Sequence, residues 1–127
     1  MPQLLEKLIQ LAEADKSVEV AWLYGSRATG GANESSDYDV AVAFHEFLTD
    51  RYQAMLRPQE LSKIWSEKLN ATISIVDINQ IPIPLAYNAV TANHILTFKN
   101  SMRLIKEEQR ISSMWEEYKY EHEKHRH

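Results

Sequence analysis

The chain has 127 residues, 44% apolar and 25% charged, without cysteine, and carries a formal charge of −4 with histidines neutral. Those totals fit one globular domain spanning residues 1–127 and exclude disulfides, thiolate metal sites and a disordered or fibrous chain. The apolar runs are too short to cross a bilayer, so a cytoplasmic protein is expected, and the net acidity offers no overall field for a polynucleotide, which disfavours a nucleic-acid substrate while leaving room for a local basic groove.

Residues 3–15 carry Leu4, Leu5, Leu8, Ile9, Leu11 and Ala12 at helical spacing, which predicts an amphipathic helix and not a signal peptide. "VEVAWLY", 18–24, reads as a strand broken by Gly25, and "SRATGG" as a short helix or turn ended by Gly30 and Gly31. "DYDVAVAF", 37–44, begins polar and turns continuously apolar, the pattern of a central strand buried on both faces. Residues 49–69 are expected to be helical, capped by Thr49 and divided by Pro58. "ATISIVDI", 71–78, predicts a third strand with Ile73, Ile75 and Asp77 on one face and Ser74, Val76 and Ile78 on the other. Pro82 and Pro84 set an extended entry to a short helix at 84–92, "HILTF" reads as an edge strand, and a long helix runs from about 101 to 123. On that last helix Met102, Ile105, Ile111, Met114, Trp115 and Tyr118 are the candidate apolar contacts. Trp115 is assigned to the core, and Tyr118 to either core or surface. The order of elements predicts an α/β or α+β domain, a small mixed sheet flanked by helices.

The chemistry concentrates between Trp22 and Phe44. Along a strand residues i and i+2 point the same way, so Asp37 and Asp39 project side by side. Two carboxylates that close repel unless one is protonated or a cation lies between them, and Mg²⁺ suits such oxygens. The other reading is a solvated turn ahead of the strand. Gly25 and Ser26, at the head of the short helix, offer backbone N–H groups and a hydroxyl to an anion, or else form an ordinary strand-to-helix turn with a serine cap. His122, His125 and His127 read as a charged helix end in preference to a metal site, and His94 as a structural histidine.

"GSRATGGANESSDYD" holds Gly25 and Ser26, ten intervening residues, then Asp37-x-Asp39. It resembles the signature of the DNA polymerase β-type nucleotidyltransferase superfamily, strongest over residues 18–78. The size is similar to that of the minimal nucleotidyltransferases, more particularly the MntA-like antitoxins that pair with HEPN-domain toxins. The resemblance implies a polymerase-β-like fold and AMP transfer from ATP to a tyrosine hydroxyl of a partner HEPN ribonuclease, which silences it. It implies two Mg²⁺ ions bridged by Asp37 and Asp39, with Asp77 as the third acidic ligand near the acceptor. It also implies a grip on the β- and γ-phosphates by Gly25 and Ser26; Arg27 reaches a phosphate or makes a surface ion pair. Rival readings are an antitoxin that acts by binding alone, and transfer to a small-molecule or tRNA hydroxyl.

Overall fold

The computed structural model describes residues 2–33 and 36–124. Helix α1 (Pro2–Ala14) leads into strand β1 (Val18–Tyr24), the one-turn helix α2 (Ser26–Thr29) and strand β2 (Tyr38–Phe44). Helix α3 (Arg51–Leu69), strand β3 (Ile73–Asp77), helix α4 (Ile83–Thr91), strand β4 (Ile95–Phe98) and helix α5 (Ser101–Lys124) complete the order. The strands form one mixed sheet in the order β3-β2-β1-β4, with β2 and β3 parallel and the other two pairs antiparallel. The mixed α/β architecture expected from the sequence is present.

Alternation along the strands sorts the apolar side chains into two layers. Val18, Ala21 and Leu23, with Tyr38, Val40, Val42, Ile73 and Ile75, pack against Leu8 and Ala12 of α1 and Leu61 and Trp65 of α3. Val20, Trp22, Tyr24, Ala41 and Ala43 pack the opposite way, against Ala86, Ala89 and Val90 of α4 and Ile111 of α5. Both central strands are therefore apolar apart from Glu19 and Asp39, because each face of the sheet is roofed by helices. Among the described residues no helix is long and apolar enough to cross a membrane.

Several expectations change. Helix α3 is continuous, and Pro58 lies buried inside it without dividing it. Proline lacks the N–H that would reach the carbonyl four residues back. That carbonyl, Ala54 O, instead accepts a hydrogen bond from Gln80 Nε2 at 3.1 Å, so a side chain from the turn after β3 fills the gap. The N-cap is Asp50, which accepts from the Gln53 N–H at 3.0 Å, and not Thr49. On α5, Ile111 is buried, whereas Met102, Ile105 and Met114 are exposed. Trp115 is half-buried and stacks between Tyr87 of α4 (4.8 Å between ring centroids) and Tyr118 (5.6 Å), outside both core layers. Tyr118 continues the stack onto His122 at 4.2 Å; His125 and His127 lie outside the described residues.

Candidate active site

The site grows from the junction of β1, α2 and β2. Antiparallel pairing sets Tyr24, the last residue of β1, opposite Asp39. The chain then leaves the sheet through Gly25, whose φ of 72° and ψ of −158° belong to a region open almost only to glycine. There is a second reason for glycine: a Cβ at this position would lie 2.5 Å from Asp39 Oδ2. Backbone and carboxylate thus touch as closely as a missing side chain permits. Within α2 the Ala28 and Thr29 N–H groups donate to the Gly25 carbonyl, so the Ser26 N–H and hydroxyl lie ahead of the first intrahelical donor. Gly30, with φ 89°, closes the turn.

Asp39 is half-buried, and its carboxyl is pushed above the usual range, first by burial and then by the charge of Asp37. Asp37 is exposed one residue outside the strand. A cation between them would relieve both the repulsion and the lost hydration. The donor set, two carboxylates next to a glycine cradle, fits a hard divalent ion that keeps water and phosphate oxygens in its shell. Among the described residues no three His, Asp or Glu side chains gather as a metal cluster.

A cleft of about 460 Å³ opens beside this junction, lined on the sheet side by Tyr24, Gly25 and Thr29 and on the other by Leu85, Asn88, Thr91 and Ala92 of α4 and its C-cap. Its size and mixed walls suit a small ligand. Burial, with a further push from Asp39, raises the Tyr24 hydroxyl to about 12, so it stays protonated as a hydrogen-bond donor. These wall residues were invisible to motif reading.

Two of the expected site residues have other neighbours than Asp39. Asp77 pairs in register with Val42, three residues along β2 from Asp39, or about 10 Å at strand rise. It also sits on the opposite face, with Val42, Ile73 and Ile75. There it accepts the Asn79 N–H at 2.9 Å and lies 3.9 Å from Arg57 Nη2, building the turn after β3. Burial is the largest influence on its carboxyl and raises it. The β3 residue level with Asp39 and on its face is Ser74. Arg27 turns toward the strand entry: its Nε and Nη2 donate to the Ser36 carbonyl at 3.2 and 2.9 Å, and its guanidinium covers the Tyr38 ring at 4.3 Å. It braces the loop ahead of Asp37. The structure brings together Gly25, Ser26, Asp37 and Asp39.

A family model described as polymerase beta, nucleotidyltransferase, matches residues 6–102. In fold, the chain superimposes on a chain of a crystal structure of a toxin-antitoxin with AMP-PNP with a TM-score of 0.76 at 22% identity, covering 94% of this chain and 92% of that one. A chain of the toxin-antitoxin MntA-HepT gives a TM-score of 0.71 at 19% identity, covering 97% and 93%. A structure of a tri-AMPylated Shewanella oneidensis HEPN toxin in complex with MNT antitoxin gives 0.71 at 21%, also covering 97% and 93%. At these identities the likeness is one of fold, over nearly the whole of each chain. No curated protein matches the sequence.

Proposed function

Because the chain belongs to the polymerase beta nucleotidyltransferase family, we propose that it transfers AMP from ATP to a tyrosine hydroxyl of a HEPN ribonuclease and so acts as that toxin's antitoxin. The observation that carries the transferase reading is the contact of Gly25 with Asp39 beside an open cleft, since a Cβ-free approach of backbone to carboxylate has no use in packing alone. The partner is supported by the end-to-end fold likeness to chains of toxin-antitoxin structures, one of them holding a tri-AMPylated HEPN toxin.

Asp37 and Asp39 would hold Mg²⁺, which when bound offsets charge on the phosphoryl oxygens and makes a nearby hydroxyl easier to deprotonate. Gly25 lets the main chain approach the terminal phosphates, and Ser26 donates its N–H and hydroxyl to them. The α4 wall, with Asn88 among its lining residues, would shield the nucleoside half of the ligand from water. Arg27 keeps the loop before Asp37 in place by holding the Ser36 carbonyl.

The test is to incubate the chain with its cognate HEPN protein, Mg²⁺ and ATP and to record intact masses. A partner heavier by whole adenylyl units, absent with Asp39→Asn, supports the reading. A tight but unmodified complex would replace transfer with inhibition by binding. Labelled small-molecule or tRNA products in place of modified protein would change the acceptor.

A further inference from the structure

We infer that, among the described residues, this site is built on two carboxylates with the neutral hydroxyl of Ser74 in the third corner, so that the divalent cation enters with the nucleotide and is not resident in the free protein. The inference rests on the nucleotidyltransferase reading above.

The geometry is set by strand pairing. Strands β2 and β3 run parallel, about 4.8 Å apart, and paired residues point to the same face. A carboxylate on β3 can meet Asp39 only from the level of Asp39 and from its face. Register assigns that place to Ser74. One step along on the same face, Val76 pairs with Ala41 and packs toward α4, too far along and apolar. Asp77, the acidic residue of β3, lies on the other face and is occupied with the Asn79 N–H and Arg57. No other described element supplies a third acidic group to the pair.

Ligand charge sets the affinity of a hard cation. Two carboxylates, one of them exposed, leave most of the cation's shell to water, whereas a bound triphosphate adds anionic oxygens on the open side. Nucleotide and metal should therefore bind with strong mutual coupling, and the coupling must be reciprocal. An aspartate at position 74 would replace part of what the triphosphate contributes.

The experiment measures Mn²⁺ binding by titration calorimetry and by the loss of the free-ion paramagnetic resonance signal. It is run with and without a non-hydrolysable ATP analogue, for the wild type, Ser74→Asp and Asp77→Asn. Expected for the wild type is weak Mn²⁺ binding that tightens about tenfold or more with the analogue. Ser74→Asp should tighten binding without nucleotide by about tenfold, and Asp77→Asn should leave it within about twofold. A tenfold loss in Asp77→Asn, or tight Mn²⁺ binding by the nucleotide-free wild type, would overturn the inference. So would a folded Ser74→Asp with unchanged affinity. If Ser74→Asp does not fold, the Asp77→Asn and wild-type arms decide alone. Failure of the wild type to bind the analogue at any Mn²⁺ concentration is a distinct result, which would overturn the nucleotidyltransferase reading itself.

Discussion

At Gly25 two demands meet in one residue: a backbone angle that side chains resist, and a carboxylate where a Cβ would stand. Gly25→Ala is expected to cost about 1–3 kcal/mol from the backbone alone and to displace Asp39. AMP transfer should fall at least a hundredfold, about 3 kcal/mol of barrier, while thermal melting still shows a cooperative fold. Asp39→Asn has the opposite signature. Its carboxyl is raised by burial and by Asp37, so at neutral pH its charge destabilises the metal-free protein. The variant should therefore melt higher than the wild type at pH 7. That advantage should shrink as pH falls through the raised value, because the wild-type carboxyl then takes up its own proton. Transfer should drop by orders of magnitude throughout. A variant that melts lower at pH 7 would show that Asp39 is held by partners rather than strained by its neighbour. The Gly-Ser pair and the paired aspartates were legible as a pattern through their spacing, but the contact between Gly25 and Asp39 was not, since it is made across the β1–β2 pair. The place of Asp77 was not legible, because an acidic residue near the end of a strand says nothing about level. The alternation had already placed it with Ile73 and Ile75, but only pairing with β2 fixes where along the strand it lies.

Among the elements, α5 is anchored by charge as well as by packing. Glu107, only 5% exposed, accepts from Arg103 and Arg110, each at 2.8 Å, and from the Asn79 amide, while Arg103 also donates to the Phe44 carbonyl. Burial alone would raise the Glu107 carboxyl; the three hydrogen-bonding partners outweigh it and hold it below the usual range. Glu107→Ala should cost about 3 kcal/mol or more, since it leaves two guanidinium groups without their acceptor. The sign with pH follows from the lowered value: this stabilisation is complete above the ordinary glutamate range and is lost as pH falls through the depressed one. Denaturant melts of wild type and Glu107→Ala should thus converge in acid. The helix itself was readable from its spacing, but its anchoring was not. Met102 and Ile105 look like core residues in sequence, yet the helix turns them outward and buries a glutamate. Likewise Pro58 reads as a break until Gln80, 22 residues later, is found bonded to the vacated Ala54 carbonyl. A bond between distant segments has no local signature.

Over the whole molecule, the sheet separates two kinds of polar structure. One end of β2 carries the Asp37–Asp39 carboxylate pair; the other carries the Asp77, Arg57, Glu107 and Arg103 network that ties the turn after β3 to α3 and α5. Ligand should therefore stabilise the fold through the first end only. With Mg²⁺ and ATP analogue at about a hundredfold over the dissociation constant, the gain is about 2.7 kcal/mol, a rise in melting temperature on the order of 10 °C for a chain of this size. Asp37→Asn should abolish the rise, and Asp77→Asn should keep it while melting from a different baseline. Strand order was less legible than strand identity. The sequence marks four strands, but nothing in it marks β1 rather than β2 as the neighbour of β4.

The chain's three glycines should also behave as a graded series under random mutagenesis. Gly31 has no atom within 4 Å of a would-be Cβ and should accept many replacements. Gly30 has the same open space but a φ of 89°, and should favour asparagine and aspartate. Gly25 should accept none, since every alternative begins with the same carbon. If the chain restrains a toxin, that codon becomes a single-step route by which a cell loses its antidote while still making a folded protein. Survivors of a selection should therefore retain glycine 25 even where the rest of the turn has drifted.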